Sequence, residues 1–288
     1  MRLRMRHIRT GCPVTSAAIS ETPLIAEPNL IDIENATIWR GSTRVFENLN
    51  LSIAQHERVA ILGPNGSGKT TLLKSINREL YPVVKPNSRV RILGKDKWNV
   101  WELRRRIGVV SNDLHQRYTP ATTALEVVVS GFHSSIGVHG TLAKQVTPDE
   151  RQRAIATLTD LGIGQLQGTA LQHMSSGQQR RCLLARALVH EPLTLILDEP
   201  TSGLDFAASF DYLERIRGLA RDGRNIVIVT HHLNEIPPEV DRVILLQGGS
   251  VVADGDKQTV LTGEQLSRVY ETPIKVAEVD GYYLAYPG

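Results

Sequence analysis

A glycine-rich segment in the first quarter of the chain carries the residue types that bind phosphate. It reads Gly63-Pro-Asn-Gly-Ser-Gly-Lys-Thr70, which has the spacing G-x-x-x-x-G-K-[ST]. Its glycines let successive backbone N–H groups point inward at phosphate oxygens. The Lys69 ammonium suits the β- and γ-phosphates, and the Thr70 hydroxyl suits Mg²⁺. The segment therefore predicts a loop that binds the phosphates of a nucleotide.

A strand and a helix must flank this loop if it is to bind phosphate. Val59–Leu62 is an apolar run typical of a buried strand, and an apolar pattern with helical spacing restarts at Leu72. The N-terminus of that helix adds a partial positive charge beside the phosphates. Because strand, glycine loop and helix all occur together, a chance glycine turn is a poor explanation. The residues expected to contact the nucleotide are Gly63, Pro64, Asn65, Gly66, Ser67, Gly68, Lys69, Thr70 and Thr71.

Two acidic residues follow a second apolar run, Leu193–Leu197. This run reads as a buried parallel strand, so Asp198 and Glu199 fall at its carboxyl end. The Asp198 carboxylate is placed to hold Mg²⁺ through water, and the Glu199 carboxylate is placed to polarise an attacking water. Two acids directly after a buried strand, in a chain with a phosphate loop, predict a site of phosphoryl chemistry.

Polar residues also follow two other predicted strands. Asn112 comes just after Ile107–Val110, where it would face the ligand, although an ordinary turn asparagine is the alternative. His231 comes directly after Asn225–Thr230 and is placed to reach a γ-phosphate, with a plain turn histidine as the alternative. We expect Asn112 and His231 to complete the catalytic set.

The remaining candidates lie at two helix starts and on an early sheet. Met174-Ser-Ser-Gly-Gln178 precedes a helical pattern, and its capped N-terminus predicts a second anion site. Ser202–Asp205 turns the chain into another helix, on which Phe206, Phe210, Leu213 and Ile216 recur at helical spacing. Strands over Leu30–Trp39 and Val45–Ile53 predict a small antiparallel sheet that offers Trp39 to an adenine base. Arg40 lying over the base, or Trp39 packing at a sheet edge, are the alternatives.

Bulk properties restrict the class of protein. The 288 residues are 41% hydrophobic with a net charge of +3, which indicates a globular protein and does not imply nucleic acid. Two distant cysteines favour a reduced, cytoplasmic setting. No apolar run approaches the roughly 18 residues of a membrane-spanning helix. If the chain serves transport, it would work at the inner face of the membrane and other subunits would form the path.

The chain divides into three predicted parts. Residues 1–29 are arginine-rich with no acid before Glu21, which suggests a disordered tail or an upstream start, with a transit peptide as the alternative. Residues 30–262 form the main domain, which contains a helical subdomain at about 113–172, and residues 263–288 form a C-terminal extension. Within the helical part, the apolar, glycine-broken stretch 127–140 predicts an exposed docking surface for a partner.

Over about Leu30–Leu261, these motifs resemble the ATP-binding cassette (ABC) ATPases in order and spacing. The resemblance implies an α/β fold: a P-loop core with a parallel sheet, a small antiparallel β subdomain and a helical subdomain. It also implies a dimer of two cassettes packed head to tail, which binds and hydrolyses ATP with Mg²⁺. The residues that would act on ATP bound to their own chain are Lys69, Thr70, Asn112, Asp198, Glu199 and His231, of which Thr70, Asn112 and Asp198 would ligate the metal. The residues that would contact ATP held by the partner are Ser175, Gly177, Gln178 and Asp205.

Several positions depart from that family pattern. Asn112 stands where the family has glutamine, and Ser176 stands where glycine is usual. Gln55-His56-Glu57 lacks the usual glycine before the acid, and Pro237-Pro238 interrupts the helix expected after His231. This combination looks most like the molybdenum-transport and iron-chelate cassettes, and like accessory cassettes of that group.

Three uses of such an ATPase are open at the level of sequence. The first is the motor subunit of a transporter, which would need a membrane-spanning permease as partner. The alternative is a soluble accessory or regulatory ATPase without a membrane partner. A nucleic-acid-associated ATPase is unlikely, because the chain has one cassette and no basic block beyond residue 9 and Arg104–Arg106.

Overall fold

The structure is a computed structural model that describes residues 27–288, so the predicted tail lies almost entirely outside the described residues. The strands are β1 (Ile31–Arg40), β2 (Thr43–Ile53), β3 (Val59–Leu62), β4 (Arg89–Ile92), β5 (Ile107–Val110), β6 (Thr194–Asp198), β7 (Asn225–Thr230), β8 (Arg242–Gln247), β9 (Ser250–Asp256), β10 (Ile274–Val279) and β11 (Tyr282–Pro287). The helices are α1 (Lys69–Ile76), α2 (Val100–Arg106), α3 (Asn112–His115), α4 (Ala124–Phe132), α5 (Thr141–Gln145), α6 (Pro148–Asp160), α7 (Ser176–Leu188), α8 (Phe206–Arg221), α9 (Lys257–Val260) and α10 (Gly263–Tyr270). Short 3₁₀ turns lie at Gly164–Leu166, Leu171–His173 and Leu233–Glu235.

The central sheet has six strands in the order β5-β6-β7-β3-β8-β9, and only β9 runs antiparallel to its neighbour. Its register aligns the carboxyl ends of the inner strands: Leu62 pairs with Thr230, and Val110 pairs with Leu197. Because these ends share one edge, the segments that follow β3, β5, β6 and β7 meet there. The motifs singled out in the sequence follow those four strands.

A three-stranded antiparallel sheet, β2-β1-β4, packs on α1 and the central sheet. In the turn that follows β2, His56 precedes Glu57 and adopts a left-handed φ of 72°, the conformation that glycine takes most easily. Together with the parallel sheet and the flanking helices, this small sheet confirms the predicted α/β fold class.

The helices between β5 and β6 pack into one apolar cluster, which buries the first part of the predicted docking stretch. Val127, Val128 and Phe132 of α4 are at most 6% exposed, because α4 packs on α6 and α7. A Cβ added at Gly131 would lie 2.5 Å from the Arg186 carbonyl oxygen, so that glycine allows the close approach of α4 to α7. Residues 127–132 therefore belong to the core, whereas most of residues 133–140 remain at least partly exposed.

Two further features differ from the expectation. In α8, Leu213 and Ile216 of the apolar set noted in the sequence are buried, whereas Phe206 and Phe210 are 82% and 66% exposed. The C-terminal residues pack on the main domain, because Leu266 and Tyr283 belong to the same buried cluster as α4 and α7.

Candidate functional site

The loop between β3 and α1 takes its shape from glycines that no other residue can replace without strain. Gly66 and Gly68 have φ angles of 83° and 109°. A Cβ at Gly68 would lie 2.6 Å from the Phe46 ring, and one at Gly63 would lie 2.2 Å from the Leu246 carbonyl oxygen. Packing and backbone conformation therefore fix this loop as a turn at the start of a helix, the arrangement that binds anions.

Lys69 begins α1 and is only 6% exposed. Its Nζ donates to the Gly63 carbonyl at 2.7 Å and to the Pro64 carbonyl at 3.0 Å. Burial lowers the pKa of Lys69, and the Glu199 and Asp198 carboxylates oppose that shift. A buried ammonium whose direct partners are neutral carbonyls favours an arriving phosphate, because the phosphate supplies the opposite charge at close range.

Asp198 is the last residue of β6, and Glu199 follows it with a left-handed φ of 46°. Burial raises the pKa of Asp198 to about 6, and the neighbouring Glu199 charge adds to the shift. A divalent cation beside Asp198 would favour its charged form and reverse the shift. Because Asp198 and Thr70 supply only oxygen donors, this pair fits Mg²⁺. The unusual backbone at Glu199 marks a position where the chain accepts strain.

His231 follows β7 and reaches the Glu199 side chain. Its Nδ1–H donates to Glu199 Oε1 at 2.8 Å. The His231 carbonyl in turn accepts a hydrogen bond from the Tyr270 hydroxyl at 3.4 Å. The imidazole therefore orients the carboxylate that was predicted to polarise water.

A cavity of about 380 Å³ opens in front of these groups. The residues that line it are Arg40, Thr43, Val45, Asn65, Gly66, Gly68, Lys69, Thr70, Thr71 and Glu199. Trp39 is 43% exposed and is not among them, because adjacent residues of a strand point to opposite faces. Arg40, the alternative, lies at the position from which a side chain can cover a base. The contact between Trp39 and adenine stays a prediction that this geometry does not favour.

Comparison with known proteins shows the family. The family described as ABC transporter matches residues 46–202, which is more than half of the chain. YlmA of Bacillus subtilis (strain 168), an uncharacterized ABC transporter ATP-binding protein, is 35% identical over 252 residues, covering 86% of this chain and 93% of YlmA. The chain belongs to the ABC transporter family.

Solved structures of cassettes have the same fold. The structure of cbiO1 from Clostridium perfringens, part of the ABC transporter complex cbiONQ, has a TM-score of 0.66 and 28% identity, covering 84% of this chain and 94% of cbiO1. The dimeric post-hydrolysis state of the ATP-binding cassette MJ0796, bound to ADP and Pi, has a TM-score of 0.64 and 28% identity, covering 78% of this chain and 98% of that one. As a member of this family, the chain described by our structure is an ATPase that uses ATP and Mg²⁺.

We call Met174–Gln178 the signature segment and α7, which begins within it, the signature helix. The signature segment lies apart from the phosphate loop of the same chain. Ser175 caps α7: its Oγ accepts from the Gln178 N–H at 3.3 Å, and Gln178 Oε1 accepts from the Ser175 N–H at 2.8 Å. Asp205 caps α8 by accepting from the Ala208 N–H at 2.8 Å, and a Cβ at Gly177 would lie 3.1 Å from Ala208. Neither segment lines the cavity in front of Lys69. Their predicted contact with ATP therefore needs another chain.

Asn112 lies at the start of α3, at the expected sheet edge. Its Oδ1 accepts a hydrogen bond from Arg180 of α7. The sequence did not single out Arg180, because the first of two adjacent arginines on a helix looks like one more surface charge. Its helical spacing from the buried residues Leu183, Leu184 and Ala187 was the available signal.

A buried glutamate is the second residue that the sequence reasoning missed. Glu235 is 0% exposed, and its carboxylate accepts from the Thr201 N–H at 2.9 Å and from the Thr201 and Thr230 hydroxyls. It therefore ties the segment after β6 to the end of β7, on either side of the Glu199–His231 contact. An acid within four residues of His231, followed by two prolines, was the signal.

Proposed function

We propose that two copies of this chain form a head-to-tail dimer that hydrolyses ATP and drives a membrane-spanning permease. The observation that carries the proposal is the division of the site. Lys69, Glu199 and Arg40 face one cavity, whereas the capped N-terminus of α7 lies outside it. A second copy, turned head to tail, would place its Ser175 and Gly177 over the γ-phosphate.

Each residue of one half-site has a distinct task in this proposal. Lys69 holds the β- and γ-phosphates, and the bound Mg²⁺, held by Thr70 and Asp198, would neutralise phosphate charge. Glu199 accepts the proton of the attacking water, and His231 keeps its carboxylate in place through the 2.8 Å hydrogen bond. The partner's helix start supplies N–H donors to the γ-phosphate, because helix N-termini favour anions.

Mixing two inactive variants tests the shared site. Lys69→Ala disables the phosphate loop, and Gly177→Asp places a repelling charge at the signature segment. A mixed dimer then holds one site in which both defects meet and one site with neither defect. If the copies pair at random, the mixture should regain about a quarter of the wild-type turnover. Absence of any recovery, with both variants folded and able to exchange partners, would contradict the head-to-tail arrangement.

We propose that the permease docks at a second cavity, of about 260 Å³, beside the phosphate loop. Ser134 and Ile136, the part of the predicted docking stretch that reaches this cavity, line it together with Arg104, Arg117 and Arg186. Burial lowers the pKa of Arg104, the Glu79 carboxylate 3.9 Å away opposes that shift, and repulsion from Arg186 and Arg117 adds to it. An acidic or carbonyl-rich segment of a partner would relieve that repulsion. Across residues 27–288, no helix is long and apolar enough to cross a bilayer.

Purification from detergent-solubilised membranes decides between this use and the accessory ATPase. The wild-type chain should recover a membrane protein with several spans, identified by mass spectrometry. Arg117→Glu should lose it, whereas Arg151→Glu, an exposed arginine on α6, should retain it. Recovery of no membrane protein by the wild type would favour the soluble accessory ATPase. If a permease is recovered, the substrate of the transporter can be identified from that permease, since the cassette itself contacts only ATP in this proposal.

A further inference from the structure

Arg180 is a charged side chain enclosed within the protein beside the catalytic residues. It lies in the second turn of α7 and is 5% exposed. A guanidinium group buried to this extent is costly unless hydrogen-bond acceptors surround it. Its role is therefore to be found in the groups that it contacts.

Those groups belong to three different segments. Nη2 of Arg180 donates to Asn112 Oδ1, to the Ser202 carbonyl at 3.0 Å and, more weakly, to the Glu199 carbonyl at 3.3 Å. Asn112 follows β5, Glu199 follows β6, and Ser202 lies in the turn that leads to α8. One side chain on α7 thus contacts the segment after β5, the segment after β6 and the turn that leads to α8.

The contact with Ser202 reinforces an existing turn. The Ser202 N–H already donates to the Glu199 carbonyl at 3.1 Å, so Arg180 binds both carbonyls of a closed turn. That turn includes the residue with the left-handed backbone, Glu199, whose conformation must be held by its surroundings. Arg180 is the buried cation that faces this turn from α7.

The contact with Asn112 involves an atom that was predicted to ligate Mg²⁺. The amide of Asn112 has one oxygen, and Arg180 uses it. The same oxygen was predicted to ligate Mg²⁺, so a metal at this position would have to share it or displace Arg180. The other terminal nitrogen of Arg180, Nη1, is buried and has no hydrogen-bond partner among the described residues. Nη1 of Arg180 can therefore donate a hydrogen bond of its own if Asn112 moves.

We propose that Arg180 is a positioning residue for ATP hydrolysis, which holds Asn112 and the Glu199–Ser202 turn against the signature helix. Arg180 reaches no phosphate in this arrangement and acts through the groups that it binds. The inference depends on the proposed dimer in one respect: α7 begins with the residues that contact the partner's ATP. Through Arg180, a shift at Asn112 in one site would then reach the signature segment that serves the other site.

A double-mutant cycle on turnover tests this proposal. Arg180→Met keeps the length of the side chain and removes its donors, and Asn112→Leu keeps the approximate volume and removes the acceptor. Each single variant should lower kcat about tenfold and change KM for ATP by less than about threefold. The double variant should also lose about tenfold, because Arg180→Met alone already breaks the link to Asn112. A double variant that loses about a hundredfold, or Arg180→Met with wild-type kcat, would overturn the proposal.

The matched control is Arg181→Ala, on the neighbouring residue of the same helix. Arg181 is half-buried and lies 3.9 Å from Asp211, away from the Glu199–Ser202 turn. Its kcat should stay within about twofold of the wild type. Thermal unfolding checks that each variant folds. If Arg180→Met does not fold, Arg180→Gln, which keeps one amide donor, takes its place in the cycle with the same expectation.

Amide hydrogen exchange separates this proposal from the proposed function. Loss of Arg180 should speed exchange in the α3 turn, Asn112–His115, about tenfold, whereas Arg181→Ala should leave it unchanged. A wild-type chain that fails to form the active dimer would contradict the proposed function alone, since this exchange is measured on the single chain. Unchanged exchange in the Arg180 variant would overturn the positioning role whether or not the chain dimerises.

Discussion

Lys69 and Glu199 line the same cavity but contribute different free energies to the reaction. Lys69 is held against two loop carbonyls and is available to phosphate in both the ground state and the transition state. Glu199 acts on the water, so its contribution belongs to the transition state alone. This difference predicts that Lys69→Ala loses both ATP binding and turnover, whereas Glu199→Gln loses turnover and keeps the bound nucleotide.

For Lys69→Ala we expect turnover to fall by at least about a hundredfold, since no other ammonium shares its place in the loop. ATP affinity should fall as well, because the positive charge is lost from the phosphate cradle. Steady-state ATPase assays and equilibrium titration with ATP–Mg²⁺ measure the two effects. Lys144→Ala, an exposed lysine on α5, is the control. Near-normal turnover in Lys69→Ala would remove the phosphate loop from the site.

Some functional residues could be predicted from the sequence and others could not. The loop at Gly63–Thr70 and the acids after β6 were predictable because each motif is local, and its chemistry follows from adjacent residues. Arg180 and Glu235 were not, because their partners lie 68 and 34 residues away along the chain. Trp39 was preferred over Arg40 on aromatic character, although strand alternation decides which of two neighbours faces the cavity. A β-bulge next to Trp39 makes that parity unreadable from the sequence.

At the scale of elements, α4 and α7 depend on a close backbone approach. Gly131→Ala should lower the free energy of unfolding by about 2 kcal/mol, because the new Cβ meets the Arg186 carbonyl oxygen at 2.5 Å. Gly218→Ala on α8 is the matched helical control, since nothing lies within 4 Å of a Cβ there. It should raise stability by about 0.5–1 kcal/mol through helix propensity. Urea unfolding of both variants checks the pair, and equal effects would contradict the close packing of α4 on α7.

The elements themselves were predicted better than their faces. Strands β3 and β5 follow from short apolar runs, which are local signals. Which side of an apolar helix meets a neighbour depends on helices far away in the chain. For that reason the run at 127–129 was taken for a surface, and the exposure of Phe206 and Phe210 did not follow from their helical spacing.

The C-terminal residues test where the folded unit ends. A chain that stops at Thr262 loses Leu266, Val269 and Tyr283, which are at most 5% exposed. Burial of two aliphatic side chains and one aromatic ring contributes several kcal/mol, so the free energy of unfolding should fall by at least about 4 kcal/mol. Denaturant unfolding of the shortened and full chains measures this. An unchanged stability would show that residues 263–288 do not contribute to the stability of the main domain.

At the scale of the whole molecule, the account rests on two copies enclosing ATP between them. The described chain supplies a phosphate loop with its acids on one part of the surface and a capped signature helix on another. A variant that keeps ATP bound but cannot hydrolyse it should hold the two copies together, because ligand bound to the dimer shifts association by mass action.

Glu199→Gln is that variant, since the amide keeps the size of the side chain and removes the base. Hydrolysis should slow by roughly a hundredfold or more. Size-exclusion chromatography with light scattering, run with ATP–Mg²⁺, with ADP and without nucleotide, is the direct measurement. The account predicts twice the 31.8 kDa mass of one chain for Glu199→Gln with ATP–Mg²⁺, and the single-chain mass in the other two conditions. A Glu199→Gln chain that binds ATP, fails to hydrolyse it and stays monomeric at high concentration would contradict the head-to-tail dimer.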